Sequence, residues 1–301
     1  MYYIYTQTNL KRNNKIGMKK SIFTLALAAI ASVSVAQTST EFGYNLGFSS
    51  YLGDLQNKQY SYQNPGIATG VFVRENINSW MAFRGFFNYA RVSGSDADSR
   101  VQGQIQRNLS FRTFIAEFGG QVEFSILPFD KFNPSNNRNK QYFNWAPYAT
   151  IGLNVFHYNP KTLYKGEWVA LQPLNTEGQN SSFNSNQPYK LTQAAVPIAF
   201  GLKYQPAKRI TLAIEFGARK TFTDYLDDVS GSYADQTKLT SEKGYLAAEL
   251  AYRTDELDGN QGTSPVANSR RGNSNNKDWY LINTFSFTYK LYSAKKAFSG
   301  R

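Results

Sequence analysis

The chain has 301 residues, 41% of them hydrophobic and 16% aromatic, with 22 Phe and 21 Tyr, and a formal net charge of +12. It contains no Cys and one His, which excludes disulfide frameworks, thiolate chemistry and any site built on a pair of histidines. A mean hydropathy of −0.49 excludes a bundle of membrane helices, and a charged fraction of 18% is too low for a disordered charged chain.

The first segment reads as an address. Lys19 and Lys20 precede the apolar run Ser21–Ile30, and Ser34-Val35-Ala36 follows. A basic end, a short apolar centre and a small-x-small exit predict a secretory signal peptide over residues 1–36, cleaved between Ala36 and Gln37. The run is short for a spanning helix. Met18-Lys19-Lys20 reads as the natural start, and residues 1–17 as an over-annotated start. Five of the 33 Lys and Arg, and none of the 21 Asp and Glu, fall in residues 1–36, so the remainder carries +7. That charge is scattered, and without a basic stripe a nucleic-acid partner is excluded.

Residues 37–301 form one predicted domain. Period-2 segments follow one another at Glu41–Tyr51, Gly66–Arg74, Trp80–Val92, Phe114–Phe124, Trp145–Tyr158, Val196–Tyr204, Ile210–Phe222 and Asp278–Tyr292. The fold class is therefore all-β: a transmembrane antiparallel β-barrel of about eight strands. Glu75–Ser79 and Gln205–Arg209 are short turns, whereas 52–65, 93–110, 159–190 and 224–277 are long. From a periplasmic N-terminus the long stretches all fall on the extracellular side and the short ones on the periplasmic side, with 127–144 as an exception. That sorting is the mark of a barrel in the cell outer membrane. Aromatic residues near strand ends (Trp80, Trp145, Tyr158, Tyr204, Trp279, Tyr292) suit the boundary between lipid and water.

One strand face is Phe, Leu, Ile, Val and Ala. The other mixes Gly, Ser and Thr with Arg84, Glu117, Glu123, Lys203, Glu215 and Arg219. Eight strands leave an interior that side chains fill. These six charges are thus expected to point inward as a balanced lumen network, and an open pore is not expected. Paired carboxylates also serve glycosidases as an acid and base, and this reading stands beside the plug. His157, near an outer strand end, would suit an enzyme only beside a carboxylate and a nucleophile such as Asp227, Asp228 and Ser49. Asp54, Asp224, Asp227, Asp228 and Asp278 offer oxygens to a calcium ion but lack the usual loop spacing, and turn closure is the competing role. Within 224–277, the stretch Ser241–Tyr252 reads as one short helix. No cofactor is expected.

Three stretches carry a family likeness: Glu41–Leu55 with its Gly53-Asp54-Leu55, Ala195–Lys203 leading to Phe216–Asp227 with its Thr221-Phe222-Thr223-Asp224, and Asn275–Tyr280 with its Asp278-Trp279-Tyr280. Over residues 38–292 the chain resembles the PorG-like outer-membrane β-barrel proteins of the Bacteroidota. That resemblance implies an accessory anchor or docking component of type IX protein secretion, lying beside periplasmic ring proteins. It implies a non-enzymatic protein whose other partner is outer-membrane lipid. The alternative is a surface-binding barrel, an adhesin or ligand-binding protein, acting through its long extracellular loops. A barrel enzyme is the third reading. Docking from the periplasm would use a basic rim of Lys131, Arg138, Lys140, Lys208 and Arg209.

Overall fold

The computed structural model describes residues 39–55, 65–132, 138–257 and 265–291; the signal peptide expected over 1–36 and Tyr292 lie outside them. Eight long strands close into an antiparallel barrel. They are β1 (Ser39–Leu52), β2 (Gly66–Asn76), β3 (Met81–Ser95), β4 (Ser110–Ser125), β5 (Trp145–His157), β8 (Thr192–Ala207), β9 (Ile210–Thr221) and β10 (Trp279–Leu291). Each pairs with its neighbour in sequence order, and β1 closes the ring against β10 from Thr40↔Leu291 to Leu52↔Trp279. A hairpin of β6 (Lys161–Tyr164) and β7 (Glu167–Ala170) extends β4 beyond the ring.

The period-2 pattern sorts the faces. Phe200 is 65% exposed, Leu153 69% and Phe216 61%, whereas Ala199, Asn154 and Glu215 beside them are buried. An apolar exterior around a polar interior inverts the soluble arrangement and is stable only where the surrounding solvent is itself apolar. Asn283 interrupts the outer face of β10, and its side-chain oxygen accepts from the Gly217 N–H at 3.3 Å. Trp80, Trp145 and Tyr204 stay exposed at the end that carries the short turns. Tyr158 does not join this girdle. It is fully buried and stacks on Tyr189, because β5 ends at His157 and the chain then folds back over the barrel mouth.

The two ends differ. At the turn end, β2–β3 and β8–β9 are joined tightly, while residues 126–132 and 138–144 lie beneath the barrel. Phe129 packs beneath the Lys203 ammonium, 4.3 Å from its ring centre, and Asp130 pairs with Lys290. At the other end the described parts of the long connections build a cap. A continuous core of Tyr51, Phe111, Phe156, Tyr158, Leu226 and Leu250 runs from the upper lumen into it. The helix expected over Ser241–Tyr252 is two helices, Gln236–Lys243 and Tyr245–Ala251. Gly244 separates them at φ +92°, a conformation that ends a helix and that glycine adopts without a Cβ clash.

Candidate functional site

The lumen is the first site the sequence points to. Arg84 donates to Glu215 at 2.6 Å and to Glu123 at 2.7 Å; Lys203 donates to Glu123 at 2.6 Å; Arg219 donates to Glu117 at 3.1 Å. The structure thus brings all six inward-facing charges into two linked clusters. Two further members, Arg74 and Glu41, are not among the six that the alternation names. Arg74 reaches Glu123 at 3.4 Å and pairs with Glu41. Glu41, Arg74 and Arg84 lie side by side in the register of β1, β2 and β3. Two neighbouring cations would repel, and Glu123 resolves this by accepting from both. Glu41 and Arg74 stand near strand ends, where Arg74-Glu75 puts two charges on opposite faces and the alternation alone names neither.

Neutral donors finish the network. The Tyr148 hydroxyl donates to Glu215 at 2.9 Å, and the Tyr280 hydroxyl donates to Glu117 at 2.6 Å. Asn88 and Asn154 donate to the two Glu117 oxygens at 2.8 and 2.5 Å. Between Asn45, Arg84 and Arg219 the remaining space is about 10 Å³, at most one water. Phe72 seals the wall opposite, its ring lying where a Cβ on Gly43 would fall, so a larger residue there would have to displace that ring. Every carboxylate of this network is spent on ion pairs and hydrogen bonds, an arrangement that fills space and offers no free acid and base to a sugar.

The cap is wired by three buried arginines. Arg107 donates to Asp96 at 2.6 and 2.8 Å and to the carbonyl of Arg271. Arg271 donates to Glu177 at 3.1 Å and to the Asp228 carbonyl at 2.6 Å. Arg253 donates to Thr162 at 2.7 Å and to the Leu163 carbonyl at 3.0 Å. These bonds tie the loops after β3, β5 and β9 into one body. No sequence signal marked them, since they stand in polar stretches without a period and meet partners up to 164 positions away.

The loop aspartates gather beneath. The Tyr51 hydroxyl lies 2.5 Å from Asp227 and 3.2 Å from Asp278. It has a single proton to donate, so it satisfies one of the two. Burial, and after it the charge of Asp54, pushes Asp227 up to about 8. Burial and then Asp227 push Asp278 well above the carboxylate range. Burial lifts Asp224 to about 7, and lifts Asp228 to about 6 against the pull of Arg271. Backbone and hydroxyl donors hold these groups: Val229 N–H on Asp227 at 2.9 Å, Leu226 N–H on Asp278 at 2.8 Å, Tyr189 on Asp228 at 2.7 Å and Asn273 N–H on Asp54 at 2.7 Å. This is loop closure by side chain to backbone.

The remaining sequence candidates are scattered. His157 faces outward and shares a 3.0 Å bond with Thr192, while Ser49 faces inward and donates to the Arg91 carbonyl at 2.6 Å. The structure does not bring His157 together with Asp227 or Asp228, which are buried in the cap. Lys131, Arg138, Lys140, Lys208 and Arg209 are exposed at the turn end, where Arg209 donates to the Tyr289 hydroxyl at 2.9 Å.

Among solved structures, the chain is similar to Neisserial surface protein A, at 8% identity and a TM-score of 0.39 over 84% of this chain and 99% of that one. It is similar to Ail, the attachment invasion locus protein of Yersinia pestis, at 8% identity and a TM-score of 0.36 over 84% and 97%. A major outer membrane protein from Thermus thermophilus gives 10% identity and a TM-score of 0.36 over 84% and 99%. No curated protein matches the chain. A family model described as a domain of unknown function, DUF6089, matches residues 19–249, which is most of the barrel and its cap, and the chain belongs to that family.

Proposed function

We propose that the chain is a non-enzymatic integral protein of the bacterial outer membrane, whose barrel is an anchor and whose folded cap is the extracellular working surface. The observation that carries this reading is the asymmetry of the ends. The described parts of the long connections build a cored cap at one end, while the other end has two tight turns and Phe129 and Asp130 packed beneath the barrel. The filled lumen supports an anchor over a channel. The test inserts an epitope at the Lys165-Gly166 turn of the β6–β7 hairpin, where both residues have positive φ and are exposed. Antibody should label intact cells. Labelling only after the cells are broken would overturn the orientation.

The second reading is docking to periplasmic ring proteins of type IX secretion, which the PorG-like resemblance suggests. It is favoured by the five exposed cations at the turn end. Neutralising Lys131, Arg138, Lys140, Lys208 and Arg209 together should leave barrel insertion intact and abolish secretion. Unchanged secretion would remove this reading.

A further inference from the structure

A cleft of about 1010 Å³ opens on one side of the cap. Its floor is the outward-facing row Leu52, Trp279 and Lys220, which stand opposite one another across β1, β10 and β9. This row belongs to the lipid-facing register, since Tyr51, Tyr280 and Arg219 beside it face inward and are buried. The cleft therefore begins at the upper edge of the apolar belt and rises along the cap. Three exposed cations line it. Arg270 donates to the Gly272 carbonyl at 2.7 Å, Lys277 to the Ser274 carbonyl at 2.9 Å, and Lys220 lies 5.9 Å from the Trp279 ring centre. None of the three forms an ion pair among the described residues, in contrast to Arg107 and Arg271 behind them, which are neutralised by Asp96 and Glu177. The one carboxylate in the lining, Asp54, accepts from the Asn273 N–H and feels the charges of Arg107 and Arg270, and it is a single negative charge against three exposed cations. Gln106, Asn275 and Asn276 add exposed amides that can both donate and accept.

Exposed cations outside any direct ion pair, amides matched to hydroxyl groups, and an apolar floor at membrane height describe a ligand with three parts: acidic, sugar-like and lipid-attached. We propose that this cleft binds the phosphate- or carboxylate-bearing sugar headgroup of an outer-leaflet glycolipid, with Trp279 and Leu52 meeting the first part of its acyl region. The site rests on the outer-membrane reading above. Lys220 is the height marker: it is the last outward residue of β9, so its ammonium reaches the level at which headgroup phosphates sit.

The test uses the full mature chain, folded in vesicles and in detergent, with purified lipopolysaccharide as the probe. Its arms are the intact lipid, the dephosphorylated lipid and the deacylated phosphorylated sugar. The combined variant Lys220→Gln, Arg270→Gln, Lys277→Gln should bind the intact lipid about a hundredfold more weakly, since each cation near an anionic surface contributes about fivefold and the three factors multiply. The control variant Lys165→Gln, Lys190→Gln, Lys238→Gln removes the same charge elsewhere on the cap and should bind as the parent does. The dephosphorylated lipid should bind as weakly as the cleft variant. Deacylated sugar that binds as tightly as the intact lipid would assign the site to a free acidic sugar and overturn the lipid source. Equal loss in both variants, or no loss in the first, would overturn the site while leaving the membrane reading in place. A chain that fails to insert into vesicles would overturn both.

Discussion

Glu123 has three cations around it: Lys203 at 2.6 Å, Arg84 at 2.7 Å and Arg74 at 3.4 Å. Burying so many ions gains little on balance, because the cost of removing them from water offsets their attraction. Removing one partner is a different matter, since the others stay buried with unmatched charge. Glu123→Gln keeps the shape and should destabilise the barrel by about 3–5 kcal/mol, read as a lower urea midpoint for unfolding from vesicles. Adding Lys203→Met should recover part of the loss, because it withdraws one of the stranded cations. An unchanged midpoint in the single variant would show that the network is decorative. At this scale the sequence was informative wherever alternation was clean. Glu117 and Glu215 sit mid-strand between small or apolar neighbours, and their direction follows from parity alone. Arg74 and Glu41 escape that logic at strand ends, and Arg107, Arg253 and Arg271 escape it altogether because loops have no parity.

The cap behaves as an element in its own right, and its buried carboxyls make it sensitive to pH. Asp224, Asp227 and Asp228 are raised to about 7, 8 and 6 in the folded chain, all above the ordinary aspartate value. A raised folded value means that folding favours the protonated form. The associated stability is whole below about pH 4 and is lost as the pH rises through about 6 to 8. Each such group can shift stability by up to about 1.4 kcal/mol per pH unit within its window. Protease cleavage of the cap in the inserted protein should therefore accelerate between about pH 5.5 and about pH 8.5 relative to an Asp227→Asn variant measured at the same pH. The ratio between the two cancels the protease's own pH dependence. A constant ratio would place the ionised carboxylates in a solvated setting. Little of this element is legible in sequence. Tyr51 meets Asp278 across 227 positions, and no local pattern encodes such a meeting. Only Gly53-Asp54 and Asp278-Trp279, as fixed points at strand ends, hint that the loops return to a common place.

For the whole molecule, the inverted arrangement of apolar exterior and charged interior was readable, because a barrel repeats one rule eight times and errors at single strands average out. The alternation of short and long connections also survives in the structure, with Phe129 and Asp130 closing the barrel at the turn end. What the alternation does not encode is that the long connections are cored and not merely long.

The seam between β1 and β10 sets an order of events for making this protein. The first strand to be delivered takes the last strand as its partner, from Thr40↔Leu291 to Leu52↔Trp279. Until residue 291 arrives, both edges carry a row of unpaired N–H and C=O groups, which lipid cannot satisfy and which other chains can invade. The ring therefore closes late and as a whole, after the longest sequence separation in the fold has been bridged. The row of Leu52, Trp279 and Lys220 crosses that same seam, so the cleft does not exist in an open barrel. A glycolipid held there binds the finished ring and not its precursor, and by mass action it would hold the seam shut.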